Sequence, residues 1–196
     1  MSFLQPLALQ GRHASLVPLS AEQLPGLQEA TRDGELWQLW YTSVPSPEGM
    51  AAEIERRLGL QAKGSMLPFT VLDAAGRVAG MSTYMNVDAA HRRVEIGSTW
   101  YARRVQRTPL NTECKLLLLT HAFEALDCIA VEFRTHRLNT PSRRAIERLG
   151  AQLDGVLRSH QISPNGSLRD TAVYSIVAAE WPTVRAHLRF QLDKPR

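Results

Sequence analysis

RRVQRTPLNTECK, residues 103–115, joins a segment that reads as a strand to one that must be a helix. Before it, RRVEIGSTWY (92–101) alternates and is rich in β-formers. After it, TECKLLLLTHAFEAL (112–126) is apolar around most of its circumference, which predicts a helix buried against a sheet. IAVEFRT (129–135) then reads as another strand. A strand–helix–strand unit of this kind sets its two strands parallel. The connecting loop holds Arg103, Arg104, Arg107, Thr108, Asn111 and Thr112 but no glycine. The first backbone N–H groups of a helix have no internal partners and carry partial positive charge, so such a loop favours an anion, and the arginines add to that preference.

Outward from this unit, the pattern stays that of one domain. LALQGRHASLV (7–17) reads as a strand or a bent strand pair around Gly11, ending near Pro18. A helical region is expected from about Ser20 to Trp40. Ser46 then serves as an N-cap with Pro47 at the first helical position, and Met50, Ile54 and Leu58 share one face of a helix to about Gln61. PFTVLD (68–73) and VAGMSTYM (78–85) form an antiparallel pair through AAGR. In TPSRRAIERL (140–149), Thr140 is expected to cap, Pro141 to start the helix, and Gly150 to close it in a left-handed conformation. GVLRSHQI (155–162) and LRDTAVYSIV (168–177) flank SPNGS, whose Asn165-Gly166 pair signals a hairpin. A short amphipathic helix follows from Glu180.

Composition sets the class. With 196 residues and 44% hydrophobic content, the chain suffices for one well-buried core and is short for two. A net charge of +4 permits polyanion binding without requiring it. Cys114 and Cys128 lie in or near one apolar run with no cysteine or histidine at ligand spacing, so neither a structural disulfide nor zinc is indicated. No stretch approaches the ~20 apolar residues of a membrane span, and no secretory leader is read at the N-terminus, so a reduced cytoplasmic compartment is expected. The six histidines show no metal-ligand spacing, and no G-x-S-x-G elbow accompanies a histidine.

The motifs point to one family. NTPSRRAIERLGA (139–151) places an asparagine, then a serine three residues on, then a leucine-glycine ending, while VEIGSTW (94–100) and LRDTAVYSI (168–176) read as strands of matching order. In these motifs and in element order, nearly the whole chain resembles the GNAT N-acetyltransferases, in particular the RimJ/RimL ribosomal-protein branch. The resemblance implies a GNAT-type α/β fold: a mixed, mostly antiparallel central sheet, helices on both faces and a C-terminal β-hairpin. It also implies acetyl-coenzyme A as co-substrate, no metal, and direct acetyl transfer to a primary amine, either a protein N-terminus or a small amine or amino acid.

The same resemblance assigns the loop to the cofactor pyrophosphate. The family pattern is Gln or Arg, two residues, Gly, one residue, Gly or Ala. Here it starts at Gln106 but puts Pro109 and Asn111 where small residues belong. Pro109 has no N–H to donate and Asn111 brings a side chain, so Arg104, Arg107, Thr108, Asn111 and Thr112 are expected to compensate. Backbone groups of Thr99, Trp100 and Tyr101 would hold the pantetheine arm, whereas the two aromatic side chains also fit as sheet aromatics. Asn139 and Ser142 complete the implied cofactor contacts. The family's usual tyrosine acid falls on Ile146 and is absent. Ser142, at the start of its helix, is the candidate to contact the sulfur, or else simply bonds to backbone.

Glu95 is the candidate base, with solvent or pairing to Arg92 or Arg93 as its alternative, and Asp170 is the reserve, with a salt bridge to the neighbouring Arg169 as its alternative. Trp37, Trp40 and Tyr41 fall in the helical region that lines the acceptor groove in related enzymes, and Trp37 and Tyr41 are the candidate substrate contacts, against a plain core role. Two other readings compete. A coenzyme-A-binding module without catalysis would account for Pro109, Asn111 and Ile146, and a nucleic-acid-associated protein would use the arginine clusters. The second lacks the aromatic interleaving that nucleic acid calls for. Monomer and homodimer both fit the sequence.

Overall fold

The parallel pair expected around the arginine loop anchors the computed structural model, which describes residues 3–194. Strand β5 (Arg93–Tyr101) runs parallel to β6 (Ala130–His136), with α3 (Leu110–Thr120) crossing between them. Every other pairing is antiparallel. The remaining strands are β1 (Leu9–Gln10), β2 (Ala14–Pro18), β3 (Met66–Asp73), β4 (Val78–Asp88), β7 (Gln152–Ile162) and β8 (Leu168–Val177). They form one eight-stranded sheet in the order β1-β2-β3-β4-β5-β6-β8-β7. Helices α1 (Leu24–Arg32) and α2 (Met50–Ala62) pack together and on β4 and β3, while α3 packs with α5 (Trp181–Asp193) and β2. Helix α4 (Thr140–Glu147) packs on β6. The core runs from Leu16, Phe69 and Met81 through Val94 and Leu118 to Val131, Phe133 and Tyr174.

Several expected boundaries move, each for a local reason. The helical region drawn from Ser20 to Trp40 breaks at Asp33, because Gly34 and Glu35 both take positive φ. Trp37 then lies in a single 3₁₀ turn, and Trp40 and Tyr41 lie beyond it in irregular chain rather than on a helix. Ser46 is not the N-cap of α2: its hydroxyl accepts from Gly49 N–H at 3.2 Å within the turn 47–49, which takes up Pro47, and the helix starts only at Met50, after Gly49. Helix α3 begins two residues before Thr112, at Leu110, and its final turn, His121–Ala125, widens to a π-helix. The cap of α4 is Asn139, not Thr140: its Oδ1 accepts from Ser142 N–H at 3.2 Å. The hairpin strands β7 and β8 are joined by 163–167, and Asn165 acts there through its side chain, accepting from Ser167 N–H.

One buried carboxylate joins the N-terminal edge to the crossover. Glu113, 7% exposed on the first turn of α3, accepts backbone N–H bonds from Arg12 at 3.0 Å, from Ala14 at 2.7 Å and from His13. A Cβ at Gly11 would collide with that carboxylate, so glycine is needed for the close approach. Replacing Glu113 by alanine strands these donors, and we expect Glu113→Ala to lower the unfolding free energy by about 3 kcal/mol, with Glu113→Gln losing less. Urea denaturation checks both.

Candidate active site

Strands β5 and β6 pair only from Arg93–Ala130 to Glu95–Glu132 and then part company. The gap opens into a cleft of about 1110 Å³, bounded by both strands, the start of α3 and α4. Its far end reaches Tyr41, Thr42 and Ser43 and the β7–β8 hairpin. Just past the point of divergence β5 carries a bulge: Gly97 pairs with Thr83 and Trp100 with Met81, so Ser98 and Thr99 stand against Ser82 alone. Ser98 takes φ +46° at this bulge, and both Ser98 and Thr99 line the cleft. A side chain at Gly97 would come within 2.8 Å of Glu95 Oε1 and Met85 Sδ. Only glycine leaves that corner open.

Glu95 lies at the apex of this divergence, 5% exposed yet lining the cleft. Its partners are Asn86, which donates from Nδ2 at 2.6 Å, and Arg134 at 3.6 Å. The expected alternative pairings do not occur, since Arg93 bonds Glu132 at 2.6 Å and Arg92 pairs with Asp127. Burial raises the carboxyl's pKa above its usual value, and the Asn86 hydrogen bond and Arg134 charge offset only part of that shift. The reserve candidate Asp170 is tied elsewhere, to Arg158 at 2.9 Å and to Ser159 N–H at 2.8 Å, and it does not line the cleft. Arg169 is therefore not its salt-bridge partner.

The arginine loop is built differently from its glycine counterpart. Its positive φ falls at Arg107 (+61°), while Pro109 sits at the N-cap of α3 with φ −61°, so the missing proline N–H costs nothing there. Asn111 is already in the helix's first turn and lines the cleft, not a crowded bend. Thr108 Oγ1 donates to Val105 C=O at 2.7 Å and accepts from Leu110 N–H at 3.3 Å. Gln106 Nε2 donates to Tyr101 C=O at 3.0 Å, closing the loop onto the end of β5. Gln106, Arg107, Thr108, Asn111, Thr99, Asn139 and Ser142 all line the cleft, as do Trp100 and Tyr101, whose side chains are largely buried in the core.

Three expected contacts face elsewhere. Arg104 bonds Asp73 at 2.9 Å and Val78 C=O at 2.6 Å, on the β3–β4 hairpin. Thr112 is 1% exposed, and its hydroxyl accepts from Arg148 at 3.0 Å, bracing α4 against α3. Trp37 does not reach the cleft, whereas Tyr41 does.

Sequence reasoning missed Lys115. From the second turn of α3 it reaches into the cleft floor, 5% exposed, donating from Nζ to Thr99 Oγ1 at 2.8 Å and to Ser82 Oγ at 3.3 Å. Among the described residues it forms no ion pair, and burial pulls its pKa down to about 8. A lysine set directly against the apolar run LLLL (116–119) was the available signal, since a lysine buried in a helix demands a polar destination. Such an ammonium, beneath the bulge and one turn below Asn111, fits a cleft that receives negative charge.

Comparison with known proteins agrees with this geometry. Residues 14–152 match the family described as Acetyltransferase (GNAT) domain. A Bacillus subtilis (strain 168) protein named "Putative ribosomal N-acetyltransferase YdaF" is 32% identical over 106 residues, which cover 54% of this chain and 57% of that protein. The match thus spans little more than half of that relative. A GCN5-related N-acetyltransferase from Brucella melitensis superposes with a TM-score of 0.83 at 31% identity, covering 96% of this chain and 86% of that one. Mycobacterium smegmatis RimJ, solved in complex with CoA-disulfide, shares the fold at 22% identity and a TM-score of 0.77, covering 95% of this chain and 93% of its own.

The buried ammonium has a measurable signature in the free protein. Below about pH 8 the folded chain carries an unpaired buried charge, so Lys115→Met is expected to raise the unfolding free energy at pH 7. Above about pH 8 the folded wild type gives up this proton while the unfolded chain still holds it, so wild-type stability rises with pH and the gap narrows toward the ordinary lysine value of 10.5. Thermal melts of both proteins from pH 6 to 10 check the sign.

Proposed function

The chain belongs to the GNAT acetyltransferase family, and from that premise we propose that it is an acetyl-CoA-dependent N-acetyltransferase acting on a primary amine, a protein N-terminus or a small amine or amino acid. The observation that carries this reading is Glu95, a buried carboxylate of raised pKa at the apex where β5 and β6 diverge. The CoA-disulfide held by RimJ and the ribosomal N-acetyltransferase name of YdaF support coenzyme A and an amine acceptor. The cleft suits that co-substrate chemically: the Arg107 guanidinium and the first turn of α3 bring positive charge to a diphosphate, Thr108 holds the loop between them in shape, and Lys115 supplies a cation below them.

In the proposed reaction the thioester supplies an activated carbonyl. Glu95 takes a proton from the amine, directly or through water, as nitrogen attacks that carbon. Backbone donors at the bulge of Ser98 and Thr99 meet the oxygen as it gains charge. The carbon–sulfur bond then breaks, and the departing thiolate takes a proton. Ile146 has no proton to give, so the Ser142 hydroxyl, in the first turn of α4, is assigned to contact the sulfur. The state of the thiols supports direct transfer over a cysteine-linked intermediate. Cys114 and Cys128 are buried, with pKa values pushed up to about 12 and about 11, and neither lines the cleft.

Two measurements test the assignment. Glu95→Gln is expected to cut kcat on the order of a hundredfold at neutral pH while calorimetry shows acetyl-CoA affinity within about twofold of wild type. The Arg107→Ala, Thr108→Ala double variant is expected to weaken that affinity at least about tenfold. Ile146 favours one competing reading, a coenzyme-A-binding module without catalysis, and tight acetyl-CoA binding with no thiol release for any amine would establish it instead.

A further inference from the structure

At the end of the cleft away from the arginine loop, two side chains present donors that no acceptor meets. Arg169 enters from β8 and is half-buried, and its Nε donates to Thr171 Oγ1 at 3.1 Å. Among the described residues its two terminal nitrogens meet no acceptor and no carboxylate pairs with it. The acids nearby are engaged: Asp170 with Arg158 and Arg137, Glu132 with Arg93 and Arg134, and Glu95 with Asn86 and Arg134. Of these, Glu95 faces Arg169 in the cleft closely enough for each charge to act on the other.

A second donor stands beside it. His136, 4% exposed, accepts Leu138 N–H on Nδ1 at 3.0 Å, and burial disfavours its cationic form, so the ring hydrogen resides on Nε2. That Nε2 is buried without a partner among the described residues. Trp40 packs edge-on against the same ring, with centroids 5.1 Å apart, and Tyr41 at 6.4 Å. Together with Gln161 and Arg169 these residues line an alcove of about 120 Å³ that adjoins the cleft. The alcove thus offers a guanidinium fork and an N–H with nothing to accept them, next to a carboxylate suited to receive a proton from an amine.

We propose that the acceptor is a primary amine that also carries a carboxylate, the amine directed at Glu95 and the carboxylate held in the alcove by Arg169 with His136 Nε2–H beside it. This rests on the transferase reading above. A planar guanidinium with two open nitrogens matches a carboxylate in a bidentate pair, and its single unanswered charge matches one unit of negative charge rather than a phosphate dianion. The aromatic rings of Trp40 and Tyr41 bound the alcove on one side. The carboxylate has two sources, the α-carboxylate of a free amino acid or an acidic side chain at a peptide N-terminus.

The test compares matched acceptors in a thiol-release assay with acetyl-CoA. L-phenylalanine is paired with 2-phenylethylamine, and a peptide amide beginning Asp-Ala with one beginning Asn-Ala. The wild type is expected to favour the carboxylate member of one pair by roughly ten- to a hundredfold in kcat/KM, and which pair shows it identifies the source. Arg169→Met is expected to bring that ratio close to one through a higher KM for the carboxylate member, and Arg169→Lys to restore part of it. Equal use of both members by the wild type would overturn the proposal, as would an Arg169→Met variant that keeps the ratio or a protein that binds acetyl-CoA yet turns over none of the four. Loss of acetyl-CoA binding in calorimetry would instead sink the transferase reading itself.

Discussion

Three residue pairs hold β5 to β6, and everything distinctive about the molecule depends on that pairing stopping where it does. Parallel neighbours cannot be joined by a tight turn, so the chain must leave β5, cross through α3 and return. Because the ladder ends at Glu95 and Glu132, the facing backbone groups beyond that point have no strand partner and need another. Helix α3 follows β5 through the arginine loop, and α4 follows β6 after a short turn, and the first turns of both helices contribute to the lining of the opening. This is the general logic of ligand sites at the carboxyl ends of parallel strands, compressed here into one pair of a mostly antiparallel sheet.

The cleft concentrates charges that the fold would be more stable without. Lys115 and Glu95 are each about 5% exposed, and for each the charged form is disfavoured by burial. Neither has the compact ion pair that would offset its desolvation: Lys115 meets two hydroxyls, and Glu95 an amide with an arginine at 3.6 Å. Structural charges in the same protein look different. Glu113 is met by three backbone donors, and Arg57, 1% exposed, bonds both Glu53 at 2.7 Å and Thr83 at 2.6 Å. Incomplete partnering, rather than burial itself, separates the groups of the cleft from those that hold the fold.

Much of this was legible in the chain, for uneven reasons. The strand–helix–strand unit followed from the change of hydrophobic period on either side of 103–115, and the loop's preference for an anion followed from its position there. Glu95, Asn139 and Ser142 were reached through motif resemblance, and all three line the cleft. Arg104 and Thr112 shared the same short loop and helix start yet turned away, Arg104 toward Asp73 and Thr112 toward Arg148, because neighbours in sequence point in different directions where a loop enters a helix. Lys115 and Arg169 were overlooked for the converse reason. Each looked ordinary locally, one a helix residue and the other the neighbour of an acid, and each acquires meaning only from what lacks contact with it.

Most elements and their order were written locally in the chain, since period, caps and turn residues act over a few positions. So was the burial of α3, because a helix apolar all round has no stable place in water. Only the tertiary structure decided that β5 and β6 part after Glu95, that the left-handed residue of the arginine loop is Arg107, and that Arg169 and His136 share an alcove with open donors. Those outcomes depend on pairing between segments distant in the chain and on which partners are already taken, and no local pattern of residues carries that information.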